Sequence, residues 1–249
     1  MKEPDPGLER VKFALRAAGV KPEHNNPLRS GIHSRGYLPH VKREGVSYFV
    51  TFRLADSIPK EFLMKLESRR TEQLQRLVAQ QKALTDGLTA VPPGETEEEI
   101  NRSFSREIEC YLDRGTGECY LARPSIAELV AKAIQFFEGQ RYLLNAWVVM
   151  PNHVHAVVWP MPNNLLGEIV GSWKGFTGRK ANQILIRAGQ AFWQPESFDH
   201  WIRDDDEKAR ICRYVVNNPV SAGLSKTPQE WRWSSAWPGW KHKSSSRPP

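Results

Sequence analysis

Two histidines separated by one residue are the first side chains in this 249-residue chain whose type and spacing could do chemistry. His153 and His155 lie in Asn145 to Pro160, which reads Asn-Ala-Trp-Val-Val-Met-Pro-Asn-His-Val-His-Ala-Val-Val-Trp-Pro. Two apolar, β-branched runs flank Met-Pro-Asn, a pattern that predicts adjacent strands joined by a tight turn. Strand side chains alternate with period two, so both imidazoles point to one face. Two neutral nitrogens on a rigid face make half of a divalent-metal site. Polar residues at a strand end would give the same spacing. However, Ala156 to Trp159 is apolar, and histidines at the mouth of a buried strand need partners of the kind a metal or phosphate supplies. A second pair, Tyr214 and Asn218, is four residues apart on a predicted helix and shares a face of it. A helix laid over the sheet would let Tyr214 reach the histidines; packing with the hydroxyl at the rim is the alternative.

The elements that must position these residues follow from periodicity. Residues 1–45 read as a basic, mobile arm with one short helical pattern at Leu8 to Ala18. Tyr48 to Leu54, rich in aromatic and β-branched residues, is the first core strand. Residues 57–123 read as a helical insertion: a long amphipathic helix from Ser57 to about Leu84, then a loop from Asp86 to Glu99. Pro124 to Phe137 is a helix with Gly139 just past its end. The strand pair follows, then a basic helix from Leu165 to Ile186, then a short strand within Phe192 to Arg203. Asp204 to Asn218 opens with acids, which favour a helix N-terminus, and is expected to stop before Pro219. The order strand, helix, strand, strand, helix, strand predicts an α+β fold with a ferredoxin-like or RRM-like antiparallel sheet. Its helices would cover one face, and a C-terminal helix would bear the tyrosine. Residues 46–218 form the expected catalytic domain, and 219–249 a Trp-rich basic tail in which Trp231 and Trp233 cover the core.

Composition narrows the function. The net charge is +7, yet the middle of the chain is slightly acidic. Residues 1–43 hold nine Lys or Arg against four acids, and 220–249 hold five against one. Basic ends around a near-neutral body suit arms that grip a polyanion, although a solubilising tail has the same charge. Lys174, Arg179, Lys180 and Arg43 are candidates for a phosphate backbone. No run approaches the roughly 20 apolar residues of a membrane span, and no secretory leader is visible, so a cytoplasmic protein is expected. Cys110, Cys119 and Cys212 are too few and too dispersed for a disulfide framework.

Four pieces together resemble a known family: Tyr48 to Leu54, Trp147 to His155, Trp193 to His200, and Tyr214 to Leu224. In this order they are similar to the REP-associated tyrosine transposases, relatives of the single-tyrosine HUH transposases that move insertion sequences as single-stranded DNA. The resemblance runs from about His33 to Trp237. It implies that His153 and His155 are the paired histidines binding Mg²⁺ or Mn²⁺, that Tyr214 is the nucleophile, and that Asn218 completes the metal site. It also implies a partner, single-stranded DNA beside a REP-type hairpin, with no membrane and no small-molecule substrate. A DNA-hairpin-binding regulator without cleavage, or an RNA-binding module with structural histidines, is the alternative. Monomer and dimer are both compatible with the sequence.

Overall fold

Strand β3 (Tyr48–Arg53) alternates Tyr, Val and Phe on one side with Phe and Thr on the other, and both sides are buried. Such a strand has to lie inside a sheet covered on two faces. The computed structural model describes residues 31–34, 39–42, 45–85 and 96–240 and places β3 between β5 (His153–Pro160) and β6 (Phe198–Trp201). β4 (Tyr142–Val149) pairs with the far side of β5, and every pairing is antiparallel. The spatial order β4-β5-β3-β6 is the ferredoxin-like arrangement expected from the sequence. A bulge in β4 between Leu144 and Ala146 leaves Asn145 exposed and keeps Ala146 and Trp147 inside.

The even-numbered side chains of β3 and β5 form the larger core with two helices, α3 (Pro124–Gln135) and α4 (Leu166–Ile184). At its centre Tyr142 donates a 2.6 Å hydrogen bond to the Ile134 carbonyl and accepts one of 2.9 Å from Trp173 Nε1. The odd-numbered face, with Phe49 and Val157, packs instead on α5 (Asp205–Ser221) through Val215. Asp204 caps α5 by accepting from the Glu207 amide at 2.7 Å. The free edge of β4 is closed by the chain after α5: the Val149 amide donates to Trp233 O at 2.8 Å, and Ser235 to Trp147 O at 2.9 Å. Trp233 is buried, and Trp231, only partly buried, donates its indole N–H to Val149 O.

Two readings of helix ends need correction. Helix α5 does not stop before Pro219 but carries it inside, buried, and Asn218 stays helical. Proline forfeits one hydrogen bond to the preceding turn, and the burial of Val215 and Pro219 offsets that loss. The helix closes only at Ala222 and Gly223, where Gly223 adopts φ +70°. The second correction concerns the expected loop 86–99. A capping box, in which Thr96 accepts from the Glu99 amide and Glu99 receives the Thr96 amide, starts α2 (Glu97–Leu112) there. Residues 56–119 form a compact unit of their own, built of α1 (Lys60–Thr85) and α2. Within it Arg70 donates to Asn101 at 2.8 Å, and Phe62 packs on Tyr111. In the expected arm, β1 (Gly31–Ser34) pairs with β2 (Pro39–Lys42) as a hairpin that the sequence reading missed. The helical pattern at Leu8 to Ala18 lies outside the described residues.

Candidate active site

His153 opens β5, and His155 follows on the same face with Thr51 of β3 opposite it. Both histidines are buried, at 1% and 0% exposure. Their Nε2 atoms lie 3.0 Å apart, and each Nδ1 faces an oxygen: Asn152 Oδ1 at 2.7 Å from His153, and Thr51 Oγ1 at 2.8 Å from His155. An amide oxygen only accepts, so His153 must carry its proton on Nδ1, leaving the Nε2 lone pair facing inward. A hydroxyl can donate or accept, so Thr51 serves His155 in either tautomer. Burial pushes the His153 pKa down to about 3. Burial, and then the neighbouring His153, holds that of His155 well below the usual imidazole value. Both rings are therefore neutral near pH 7, the form that ligates metals.

Phe49 stacks on His155 with ring centroids 5.3 Å apart and meets Tyr214 edge to face at 6.0 Å. The Tyr214 ring in turn stands 5.5 Å from His155. One turn further along α5, Asn218 Nδ2 donates to the Tyr214 hydroxyl at 3.3 Å, and Asn218 is 1% exposed. Its Oδ1 is buried and accepts no hydrogen bond. Buried acceptors are rarely left in that state, because the group forfeits its hydration without recompense. Here an inward lone pair on His153, a second imidazole and an orphan amide oxygen occur around one tyrosine. Among the described residues no group of three or more His, Cys, Asp or Glu is placed to hold a metal ion. The groups that converge here are two imidazoles and an amide.

Residues 123–218 match the family model described as transposase, IS200 like, a span that includes His153, His155, Tyr214 and Asn218. A REP-associated tyrosine transposase of Escherichia coli K12 is 27% identical over 92 residues, 37% of this chain. The chain resembles the REP-associated tyrosine transposases. Its match to the transposase of E. coli spans 53% of that relative's length. A solved REP-associated tyrosine transposase bound to a REP hairpin aligns over 81% of this chain and 80% of its own, with 18% identity and a TM-score of 0.44. A Deinococcus radiodurans protein assigned as a transposase aligns over 75% of this chain and 96% of its own, with 15% identity and a TM-score of 0.31.

Three of the basic residues singled out for DNA, Lys174, Arg179 and Lys180, lie elsewhere. Arg179 and Lys180 are exposed on α4, which packs on the sheet face opposite the histidines. Lys174 donates to the Pro195 carbonyl at 2.7 Å and the Glu196 carbonyl at 3.3 Å, so it ties α4 to the segment before β6. Burial and then the nearby Arg53 charge lower its pKa to about 8. Arg43 lies outside the described residues. Sequence reasoning missed Thr51 and Asn152, the partners of the two Nδ1 atoms. Period-two alternation puts Thr51 on the same strand face as Phe49, but its partner 104 residues away depends on sheet register. No helix among the described residues is long and apolar enough to cross a membrane.

Proposed function

We propose that this chain is a metal-dependent strand transferase that cuts single-stranded DNA beside a hairpin and holds the 5′ end on Tyr214. The observation that carries the reading is the convergence of Tyr214 with two neutral imidazoles and the unpartnered Asn218 oxygen on one sheet face. The ion proposed is Mg²⁺ or Mn²⁺, the pair that the family resemblance implies. The two Nε2 atoms lie 3.0 Å apart, close enough for one ion to be held by both. His153, His155 and Asn218 would hold the ion; all three are neutral, so a bound ion keeps its charge to polarise a phosphate oxygen.

The remaining chemistry belongs to the chain. Tyr214 attacks phosphorus; the new bond joins its oxygen to the 5′ phosphate, and the bond to the 3′ oxygen breaks. A phenol with a pKa of ~10 must lose its proton at or near attack. The Asn218 N–H already directed at the hydroxyl stabilises the phenolate that results. Neither histidine acts as the base, since burial disfavours both imidazolium forms. Phe49 backs the His155 and Tyr214 rings together and keeps their approach fixed. The phosphodiester energy is retained in the phosphotyrosine, so another 3′ hydroxyl can reverse the step without ATP. The resemblance to a REP-associated tyrosine transposase supports a repetitive extragenic palindrome as the hairpin.

The test is incubation with Mn²⁺ and labelled hairpin oligonucleotides bearing 5′ single-stranded extensions, followed by a denaturing gel. A covalent band abolished by Tyr214→Phe and by His153→Ala supports the reading. Tight binding with no covalent band would favour a non-cleaving regulator.

A further inference from the structure

Tyr120, the first residue of the short 3₁₀ turn Tyr120–Ala122, carries cations without acids. Its ring lies against Phe192, nearly parallel at 28° with centroids 6.2 Å apart. The Arg187 guanidinium lies 4.5 Å from the ring centroid, and that of Arg123 lies 5.8 Å from it. The two cations are therefore within about 10 Å of each other. Arg187 is further fixed by its Nε, which donates to Gln190 Oε1 at 2.9 Å. Among the described residues neither arginine forms an ion pair with a carboxylate. Converging two unneutralised guanidinium groups on one aromatic ring costs repulsion, and that cost is recovered when an anion arrives.

The location connects this cluster to the tyrosine centre. The Leu121 amide donates to the Pro151 carbonyl at 3.1 Å, within the turn that leads into His153. Leu54 donates to the Asn152 carbonyl, and Ala55 to the Phe192 carbonyl, both at 2.9 Å. Tyr120, Phe192 and the histidine-bearing turn are thus laced together at the His153 end of the sheet. Tyr120 and Phe192 pack with the core on the face opposite the histidines, so a strand would have to pass round the His153 end of the sheet to meet both sites.

We propose that Arg187, held over the Tyr120 ring and aided by Arg123, is a binding site for the single-stranded DNA segment next to the cleaved phosphate. A guanidinium held over a ring can offer a face to an unstacked base and its terminal N–H groups to a phosphate. Inside a duplex stem each base face is covered by its neighbours, so the site takes single strand and not stem. This rests on the strand-transferase reading, because the DNA is taken to be its substrate.

The test measures fluorescence anisotropy of the full chain with three labelled DNAs: a blunt hairpin, the same hairpin with a 5′ single-stranded extension, and the extension alone. Arg187→Ala should weaken binding of the two extended DNAs about tenfold and lower the salt slope by about one. Arg187→Lys should restore the slope but only part of the affinity, since an ammonium does not stack. Tyr120→Leu should reproduce the loss of affinity. Blunt-hairpin binding should not change. Equal binding by wild type and Arg187→Ala, with Mn²⁺-dependent covalent adduct still formed, overturns the site and leaves the strand-transferase reading standing. A loss of equal size on the blunt hairpin overturns the single-strand assignment. Failure of the wild type to bind any of the DNAs sinks both. Circular dichroism and melting of each variant identify loss through unfolding, and Arg123→Ala, exposed at the start of α3, supplies a second reading of the same prediction.

Discussion

Replacing Asn218 by Leu, close to its own shape, separates a metal-ligating amide from a structural one. In the metal-free protein Asn218 Oδ1 is a buried acceptor with no partner, a condition that costs about 1–3 kcal/mol. The same substitution removes the long Nδ2 bond to Tyr214, at 3.3 Å, worth about 0.5–1.5 kcal/mol. The balance runs from no change to a gain of about 2 kcal/mol, or a rise in Tm of up to roughly 4–8 °C for a chain of this size. With Mn²⁺ the order should invert. At a hundredfold excess over its Kd, a ligand stabilises the protein that binds it by about 2.7 kcal/mol, some 5–10 °C. Wild type should gain this and Asn218→Leu should gain little. Differential scanning fluorimetry with EDTA and with Mn²⁺ reads both arms. The reasoning fails if the metal-free variant loses more than about 1 kcal/mol, or if Mn²⁺ raises both proteins equally.

Other outcomes follow from the same structure. The folded-state pKa values of His153 and His155 lie below the unfolded value of ~6.5, so the unfolded chain binds more protons as pH falls. Stability of the EDTA-treated protein is therefore full above pH ~6.5 and falls as the pH drops below it, the His153 contribution being lost down to about pH 3 at up to about 1.4 kcal/mol per pH unit and that of His155 in the same direction. Urea melts at pH 7.5 and 5.5 check this, and a flat profile contradicts it. Tyr142→Phe strands the Ile134 carbonyl and Trp173 N–H in the core and should cost about 1–3 kcal/mol in urea unfolding. Lys174→Ala should lower Tm by several degrees through the lost carbonyl tie, whereas Arg179→Ala with Lys180→Ala should leave Tm unchanged and flatten the salt dependence of DNA binding.

The sheet and its order were legible because each core strand carries β-branched or aromatic runs closed by turn residues, and the helices between them have clear periodicity. The shared face of His153 and His155 followed from strand geometry alone, and that of Tyr214 and Asn218 from helical spacing. What was not legible depends on contacts distant in sequence. Thr51 meets His155 only through the register of β3 on β5. Pro219 looks like a helix stop until burial on the sheet outweighs one missing hydrogen bond. Lys174 reads as a surface cation, yet it caps two carbonyls from a segment 21 and 22 residues away. The start of α2 was a different omission, since Thr96-Glu-Glu-Glu99 spells a capping box in the sequence itself.

The central claim is that Tyr214 becomes joined to DNA. Trypsin should release Tyr214 to Lys226, bounded by Arg213 and Lys226, as a peptide whose one tyrosine is Tyr214. Mass spectrometry after reaction with a hairpin oligonucleotide in Mn²⁺, and nuclease trimming, should find that peptide carrying a nucleotide through its 5′ phosphate, with fragment ions placing it on Tyr214. A nucleotide on any other residue, or an unmodified peptide after reaction under conditions where the DNA is cut, would contradict the account.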